Sequence, residues 1–295
     1  MGKDLFDNFA AAREVFEQAD EALGFSLSEM CFVGDEADLQ LTANTQPAIL
    51  TTSVAGYRAM RGEGFAAPAF VAGHSLGEYS ALVAAGMLDF ADAVRTVRKR
   101  GTYMQEAVPV GVGAMAAILG SDVATVEAAC SEAAGSQVCS PANINSPSQV
   151  VIAGDTDAVD RACELLKERG AKRAIKLNVS APFHCALMMP AQERLAGDLT
   201  VLDYGTFEFP IVHNVDAKAN DDPGKVADAL TRQVTSPVRW VETIQFLRAQ
   251  GVETFIEVGP GKVLSGLVRQ IDRDAGSANV ENSESLRNTL DTLYT

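Results

Sequence analysis

The sequence predicts an α/β fold in two parts. A core with a central, mainly parallel sheet spans 1–111 and 182–295, and a small subdomain interrupts it at 112–181. Three observations carry this reading. Around VAGHSLGEYS (71–80) a short apolar run, a tight turn and an apolar helical stretch follow one another, the alternation that builds a buried parallel sheet. Between 112 and 181 the pattern changes to strand, helix, two strands, helix and strand. Beyond 182 the strand-and-helix style of the first part resumes.

The elements follow from the spacing of apolar residues. Residues 3–23 read as one amphipathic helix, with Leu5, Phe9, Ala12, Val15, Phe16 and Ala19 on a single stripe. Residues 46–62 read as a second helix, Pro47 being tolerated in its first turn. A strand near 67–72, a turn at Gly73–Gly77 and helices at 75–87 and 90–107 come next. In the subdomain, strands fall at 113–119, 138–144, 149–154 and 172–179, and helices at 122–134 and 155–170. That β-α-β-β-α-β order is that of a ferredoxin-like unit. The core resumes with a strand at 207–215, helices at 223–234 and 238–250, a strand at 254–259 and a helical stretch after Pro260-Gly261-Lys262; the polar 272–285 reads as a surface loop.

Composition narrows the function. With 47% hydrophobic and 21% charged residues the chain is of ordinary globular make-up, and its net charge of −15 argues against general nucleic-acid binding. The five cysteines, Cys31, Cys130, Cys139, Cys163 and Cys185, form no C-x-x-C pair and read as small core residues of a reducing compartment. No apolar run reaches the ~18 residues of a membrane span. MGKDLFDNF lacks the basic start and apolar core of a signal peptide, so the sequence predicts a cytoplasmic protein with no membrane contact.

Gly73-His74-Ser75-Leu76-Gly77 is a G-x-S-x-G pattern in the strand–turn–helix context that a nucleophile elbow requires. Ser75 then sits at a helix N-terminus, where the Leu76 N–H is one oxyanion donor. A serine hydroxyl needs a base, and the chain has three histidines. The side chain of His74 leaves the turn in another direction. His213, in FEFPIVHNV, reads as a hydrogen-bonded or partly exposed strand residue. His184, in NVSAPFHCALM, lies where the chain returns from the subdomain, and it is the candidate base; no acid stands out to orient it, leaving that task to a carbonyl. In RTVRKR (95–100), Arg95 and Lys99 point away from the apolar stripe of their helix, while Arg98 and Arg100 flank it. Either of the latter two suits a substrate carboxylate.

GHSLGEYSALVAAG, RGTYMQEAVPVGVGAMAAILG, QVVIAG, SAPFH, NVDA, SPVRW and EVGPGKVLSGL, in this order and at these intervals, resemble the malonyl-CoA:acyl carrier protein transacylases of bacterial fatty acid synthesis over essentially the whole chain. The resemblance implies a hydrolase-like core and a ping-pong transfer of malonyl from malonyl-CoA to the phosphopantetheine thiol of acyl carrier protein. Ser75 carries the ester and His184 is its base. Gln233 orients the histidine through a carbonyl, Leu76 supplies one oxyanion N–H, Arg100 pairs with the malonyl carboxylate and Gln46 lines the pocket. Phe183 stands where an aromatic residue accompanies malonyl rather than methylmalonyl. The implied enzyme uses no metal and no cofactor and is a monomer. Its acidic carrier would dock on a basic patch, for which Lys172 and Arg173 in the stretch 161–176 are candidates. The family begins with a strand ending in a G-Q-G-S-Q loop that supplies the second oxyanion N–H. No such segment precedes GKDLFDNF, as though translation began too far downstream, so the expectation is an open strand slot with exposed apolar surface and an unpaired edge. The rival readings are a serine thioesterase or esterase, which shares the elbow, and an acyltransferase impaired by the missing loop.

Overall fold

A computed structural model describes residues 1–179 and 181–294, leaving Ser180 of the SAPFH segment and Thr295 outside. The chain opens with α1 (Lys3–Asn8), α2 (Ala10–Leu23), α3 (Leu27–Val33), α4 (Glu36–Gln40) and α5 (Thr42–Gly62). β1 (Val71–Ala72), α6 (Gly77–Ala84) and α7 (Phe90–Glu106) follow. The middle holds β2 (Gly113–Leu119), α8 (Val123–Ala134), β3 (Cys139–Ser146), β4 (Gln149–Asp155), α9 (Thr156–Glu168) and β5 (Arg173–Lys176). The last part holds α10 (Met189–Thr200), β6 (Ile211–Val212), β7 (Ala219–Asn220), α11 (Val226–Gln233), α12 (Trp240–Ala249), β8 (Thr254–Val258), α13 (Val263–Ile271), β9 (Gly276–Val280) and α14 (Ser283–Tyr294).

Local chemistry corrects several sequence expectations. The helix expected at 3–23 is two, because Phe9 is extended (φ −129°, ψ 121°) and the Asn8 side chain donates to the Asp4 carbonyl at 2.8 Å, closing α1. α3 and α4 were not foreseen, although Ser26 and Asp35 cap them by accepting from the Glu29 and Ala37 N–H groups. α5 begins at Thr42, which moves Pro47 into the second turn. The Ala43 carbonyl that Pro47 cannot serve accepts instead from Arg98 Nη1 at 2.8 Å. The expected surface loop 272–285 contains β9, which pairs in parallel with β8 from Thr254↔Gly276 to Val258↔Val280, and the first residues of α14. Pairing to an available edge overrides the weak strand propensity of GSAN.

The middle segment forms a four-stranded antiparallel sheet in the order β3-β4-β2-β5. Ala116, Ile118, Val150 and Ile152 of this sheet share an apolar cluster with Val126 of α8 and Val159 of α9. A larger cluster lies between α2, α5, α7 and α10, and a smaller one joins α12 and α13. The two parts are stitched where the Ile144 N–H donates to the Val238 carbonyl and the Val238 N–H to Ala142, each at 2.9 Å. All five cysteines are buried and unbridged.

Outside the middle segment the described strands form two small sheets. β1 pairs in parallel with β6, which pairs antiparallel with β7, while β8 and β9 form a parallel pair. β1 and β8 both line a groove of about 850 Å³, walled by Ile49 and Tyr57 of α5 on one side and Ile244 and Leu267 of α12 and α13 on the other. Both strands stay half-buried, whereas strands of a parallel sheet covered on two faces are ordinarily its most buried part. No helix among the described residues is long and apolar enough to cross a membrane.

Candidate active site

The turn between β1 and α6 is set by sterics. A β-carbon on Gly73 would lie 2.0 Å from the Gly77 backbone, so the chain can turn this sharply only with glycine there; Gly77 itself faces open space. Ser75 is left at φ 51°, a left-handed conformation that costs a non-glycine residue about 1–2 kcal/mol. Asn214, just beyond β6, holds the turn in place. Its Oδ1 accepts from the Ser75 N–H at 2.7 Å and its Nδ2 donates to the Gly73 carbonyl at 2.7 Å. Leu76 follows as the N-cap of α6, among the residues whose N–H groups have no partner inside the helix.

His184 stands on the return from the middle segment, also left-handed at φ 59° and only 3% exposed. Its Nε2 is 2.7 Å from Ser75 Oγ. Its Nδ1 lies 2.9 Å from the Gln233 backbone carbonyl, which can only accept, so the proton is on Nδ1 and Nε2 is free to take one from the serine. Burial, and after it the Arg100 cation, push His184 down to about 3. A neutral imidazole oriented by a carbonyl is therefore the resting state.

Arg100 reaches the same hydroxyl from α7. Asp89 caps that helix by accepting from the Ala91 and Asp92 N–H groups. Gly101 lets α5 approach so closely that a β-carbon there would lie 2.5 Å from the Thr42 carbonyl oxygen. With the helices this near, Arg100 is 2% exposed; Nη1 donates to Gln46 Oε1 at 2.7 Å, and Nη2 donates to Ser75 Oγ at 3.1 Å and Gln233 Oε1 at 2.9 Å. Burial pulls its guanidinium below the ordinary range, opposed by Tyr79 and Glu78. A cavity of about 530 Å³ opens onto this group, lined by Gln46, Ser75, Leu76, Arg100, Phe183 and His184 among others.

The other candidates lie apart from the serine hydroxyl. His74 Nε2 is 2.8 Å from Asn145 Oδ1, and its ring lies 5.6 Å from that of Trp240. Arg98 supports α5 through Ala43 and Asn44. Arg95 and Lys99 pair on the surface with Asp92 and Asp198. His213 is buried and hydrogen-bonded, with Nδ1 2.6 Å from Glu78 Oε1. In the basic stretch, Lys167, Arg169 and Lys176 pair with Glu164, Glu132 and Asp160. Lys172 and Arg173 are exposed and form no ion pair among the described residues. No group of three or more His, Cys, Asp or Glu side chains placed to hold a metal occurs among the described residues. Sequence reasoning missed Asn214 and Glu78. A signal for the latter existed: it is the one charged residue in the apolar helix GEYSALVA, three positions after the serine.

These features can be set beside known proteins. Residues 1–286 match the family described as the acyl transferase domain. The chain is 52% identical over 271 residues to the malonyl CoA-acyl carrier protein transacylase of Escherichia coli K12, covering 92% of this chain and 88% of that protein. An acyl carrier protein S-malonyltransferase from Vibrio cholerae superposes with a TM-score of 0.96 at 49% identity, over 98% of this chain and 94% of the other. A malonyl-transacylase solved in complex with its type II PKS acyl-carrier protein superposes at 0.97 with 46% identity, over 99% and 94%. With a matching domain spanning almost its whole length and relatives this similar, the chain belongs to the acyl transferase family.

Proposed function

We propose that this chain transfers the malonyl group of malonyl-CoA to the phosphopantetheine thiol of acyl carrier protein, for fatty acid synthesis, through a malonyl ester on Ser75. One observation carries the reading: a single hydroxyl, Ser75 Oγ, lies 2.7 Å from a neutral imidazole and 3.1 Å from a buried guanidinium. The first supplies a base for acyl transfer, and the second selects an acyl group that ends in a carboxylate.

In the first half-reaction Ser75 Oγ attacks the thioester carbon and passes its proton to His184 Nε2. The tetrahedral oxygen is stabilised by backbone N–H groups, that of Leu76 among them. The thioester C–S bond breaks, and CoA leaves with the proton from His184. Arg100 exchanges Ser75 Oγ for the malonyl carboxylate and orients the acyl group. That exchange neutralises the second-largest cause of His184's low basicity, so substrate binding itself strengthens the base. In the second half-reaction the carrier thiol gives its proton to His184 and attacks the ester carbonyl, and Ser75 Oγ leaves with that proton. Gln233 holds the imidazole tautomer through its carbonyl, a role that an acid fills in Ser-His-Asp hydrolases. Phe183, at the cavity wall, leaves less room for an α-methyl group. The chemistry needs no metal or cofactor, and we read the enzyme as a cytoplasmic monomer.

Three architectural readings go with this. The strand order β3-β4-β2-β5 supports a ferredoxin-like subdomain at 112–181, inserted in a hydrolase-like core at 1–111 and 182–295. The apolar groove bordered by β1 and β8 has the walls of a strand slot, and Gly73, His74 and Leu76 of the turn that carries Ser75 line it. Lys172 and Arg173 offer unpaired cations to an acidic carrier.

The test is intact mass after mixing the chain with malonyl-CoA and, separately, with acetyl-CoA, using Ser75→Ala as control. A malonyl adduct that requires Ser75 and exceeds the acetyl adduct supports the reading. An acetyl adduct at equal rate, or a malonyl adduct that survives Ser75→Ala, overturns it.

A further inference from the structure

Glu78 is fully buried on α6, one turn beyond the nucleophile, and touches neither the cavity nor the hydroxyl. Its carboxylate collects three donors: His213 Nδ1 to Oε1 at 2.6 Å, and the Asn214 N–H at 3.0 Å and Gln233 Nε2 at 2.8 Å to Oε2. The state of His213 follows from its other nitrogen. Asn220 Oδ1 accepts from the Asp222 N–H and its Nδ2 donates to the Asp222 carbonyl, so it is Nδ2 that faces His213 Nε2 at 3.0 Å. Nε2 therefore accepts and Nδ1 carries the proton, which makes His213 a neutral donor and leaves Glu78 without a cation in contact among the described residues.

The charge that balances Glu78 is one amide away. Gln233 spends both Nε2 hydrogens on the Ser75 carbonyl (3.0 Å) and the Glu78 carboxylate, and its Oε1 accepts from Arg100 Nη2 at 2.9 Å. An ionised carboxylate only accepts. It therefore forbids the flipped amide, whose Oε1 would face Glu78 and whose hydrogens would face the guanidinium. Glu78 thus fixes the Gln233 amide, and the amide fixes the pose of Arg100 over Ser75. The same carboxylate also favours the charged form of the buried Arg100.

We propose that Glu78 is a positioning residue for acyl-group selection: through the Gln233 amide it holds Arg100 in the orientation that receives a substrate carboxylate. This rests on the malonyl-transfer reading above. Glu78→Gln keeps the shape but can donate as well as accept, so the Gln233 amide loses its fixed sense. Gln233→Ala removes the link while keeping the backbone carbonyl on His184.

The experiment measures the initial rates of malonyl and acetyl loading on Ser75 for the wild type, both single variants and the double variant. Each single variant should lower the malonyl-to-acetyl ratio about tenfold or more, the change that goes with a hydrogen bond to a charged group. The double variant should be no worse than either single one, because one chain of contacts has been cut twice. A folded Glu78→Gln with an unchanged ratio, a proportional loss of both rates, or effects that multiply in the double variant overturns the inference. If Glu78→Gln does not fold, Gln233→Ala alone decides, and an unchanged ratio there sinks it. Failure of the wild type to take malonyl at all would instead count against the function, so the two failures read differently.

Discussion

Replacing Arg100 by methionine tests the centre of the mechanism. Methionine fills much of the same volume without charge, so the α5–α7 packing is kept while Gln46 Oε1, Gln233 Oε1 and Ser75 Oγ lose a donor. At 2% exposure the malonyl carboxylate would enter a site with no cation and little water. Truncating one partner of a buried charge pair costs about 2–5 kcal/mol, and about 1.4 kcal/mol is tenfold, so kcat/KM for malonyl-CoA should fall about 30- to 4,000-fold. Acetyl-CoA has no carboxylate to lose, and its kcat/KM should change far less, which reverses the acyl preference. A second readout is independent of affinity. Arg100 is the second cause, after burial, of the low pKa of His184. Without the cation the histidine becomes easier to protonate, so the acid limb of acetyl transfer should move to higher pH. Steady-state rates with both thioesters from pH 3 to 8 give both quantities. A malonyl preference kept to within a few-fold, or an acid limb that does not move, would refute the reasoning.

Three other outcomes follow from the same geometry. Phe183→Ala opens the cavity wall, and methylmalonyl loading relative to malonyl should rise by about tenfold or more, the ~1–3 kcal/mol value of one methyl group, measured by competition between the two thioesters. His184 is held neutral in the folded chain, from an ordinary 6.5 down to about 3, so between those values the unfolded chain binds more protons and stability falls as pH falls. His184→Gln should flatten that fall by up to one proton, about 1.4 kcal/mol per pH unit, seen in denaturant midpoints at pH 4.5 and 7. The double reversal Lys172→Glu with Arg173→Glu should raise KM for the carrier and weaken its salt dependence while leaving malonyl loading of Ser75 unchanged; equal effects on both half-reactions would remove these residues from docking.

Much of the site was legible because its parts are tied to local pattern. G-x-S-x-G between an apolar run and an apolar helix has few structural solutions, and Gly73 shows why: the turn admits no β-carbon. With three histidines in the chain, the search for a base was short. Helix phase placed Arg98 and Arg100 on opposite flanks of the apolar stripe, and the family resemblance pointed to Arg100. The structure separates them, because Arg98 serves the carbonyl freed by Pro47 while Arg100 lies against Gln46 and Gln233. The strands and helices between 112 and 181 were read to within a few residues at most ends, since their alternation is strong and their turns short. β9 and the break at Phe9 were not, because in each a tertiary partner or one side-chain bond outweighs a weak local preference.

The sequence by itself pointed to the candidate nucleophile, the candidate base, the order of strands and helices between 112 and 181 and the family to which the chain belongs, because these are written in motifs and in apolar spacing. Only the tertiary structure showed what each arginine of that helix touches, which nitrogen of His184 holds the proton, and that Glu78, Gln233 and Asn214 stand together behind the hydroxyl. Glu78 and Gln233 are 155 positions apart, and Asn214 lies 139 from Ser75. Hydrogen bonds over such separations leave no period in the sequence; they exist only once hydrophobic burial has brought α6, β6 and α11 to one end of the sheet, where each buried polar group must find a partner.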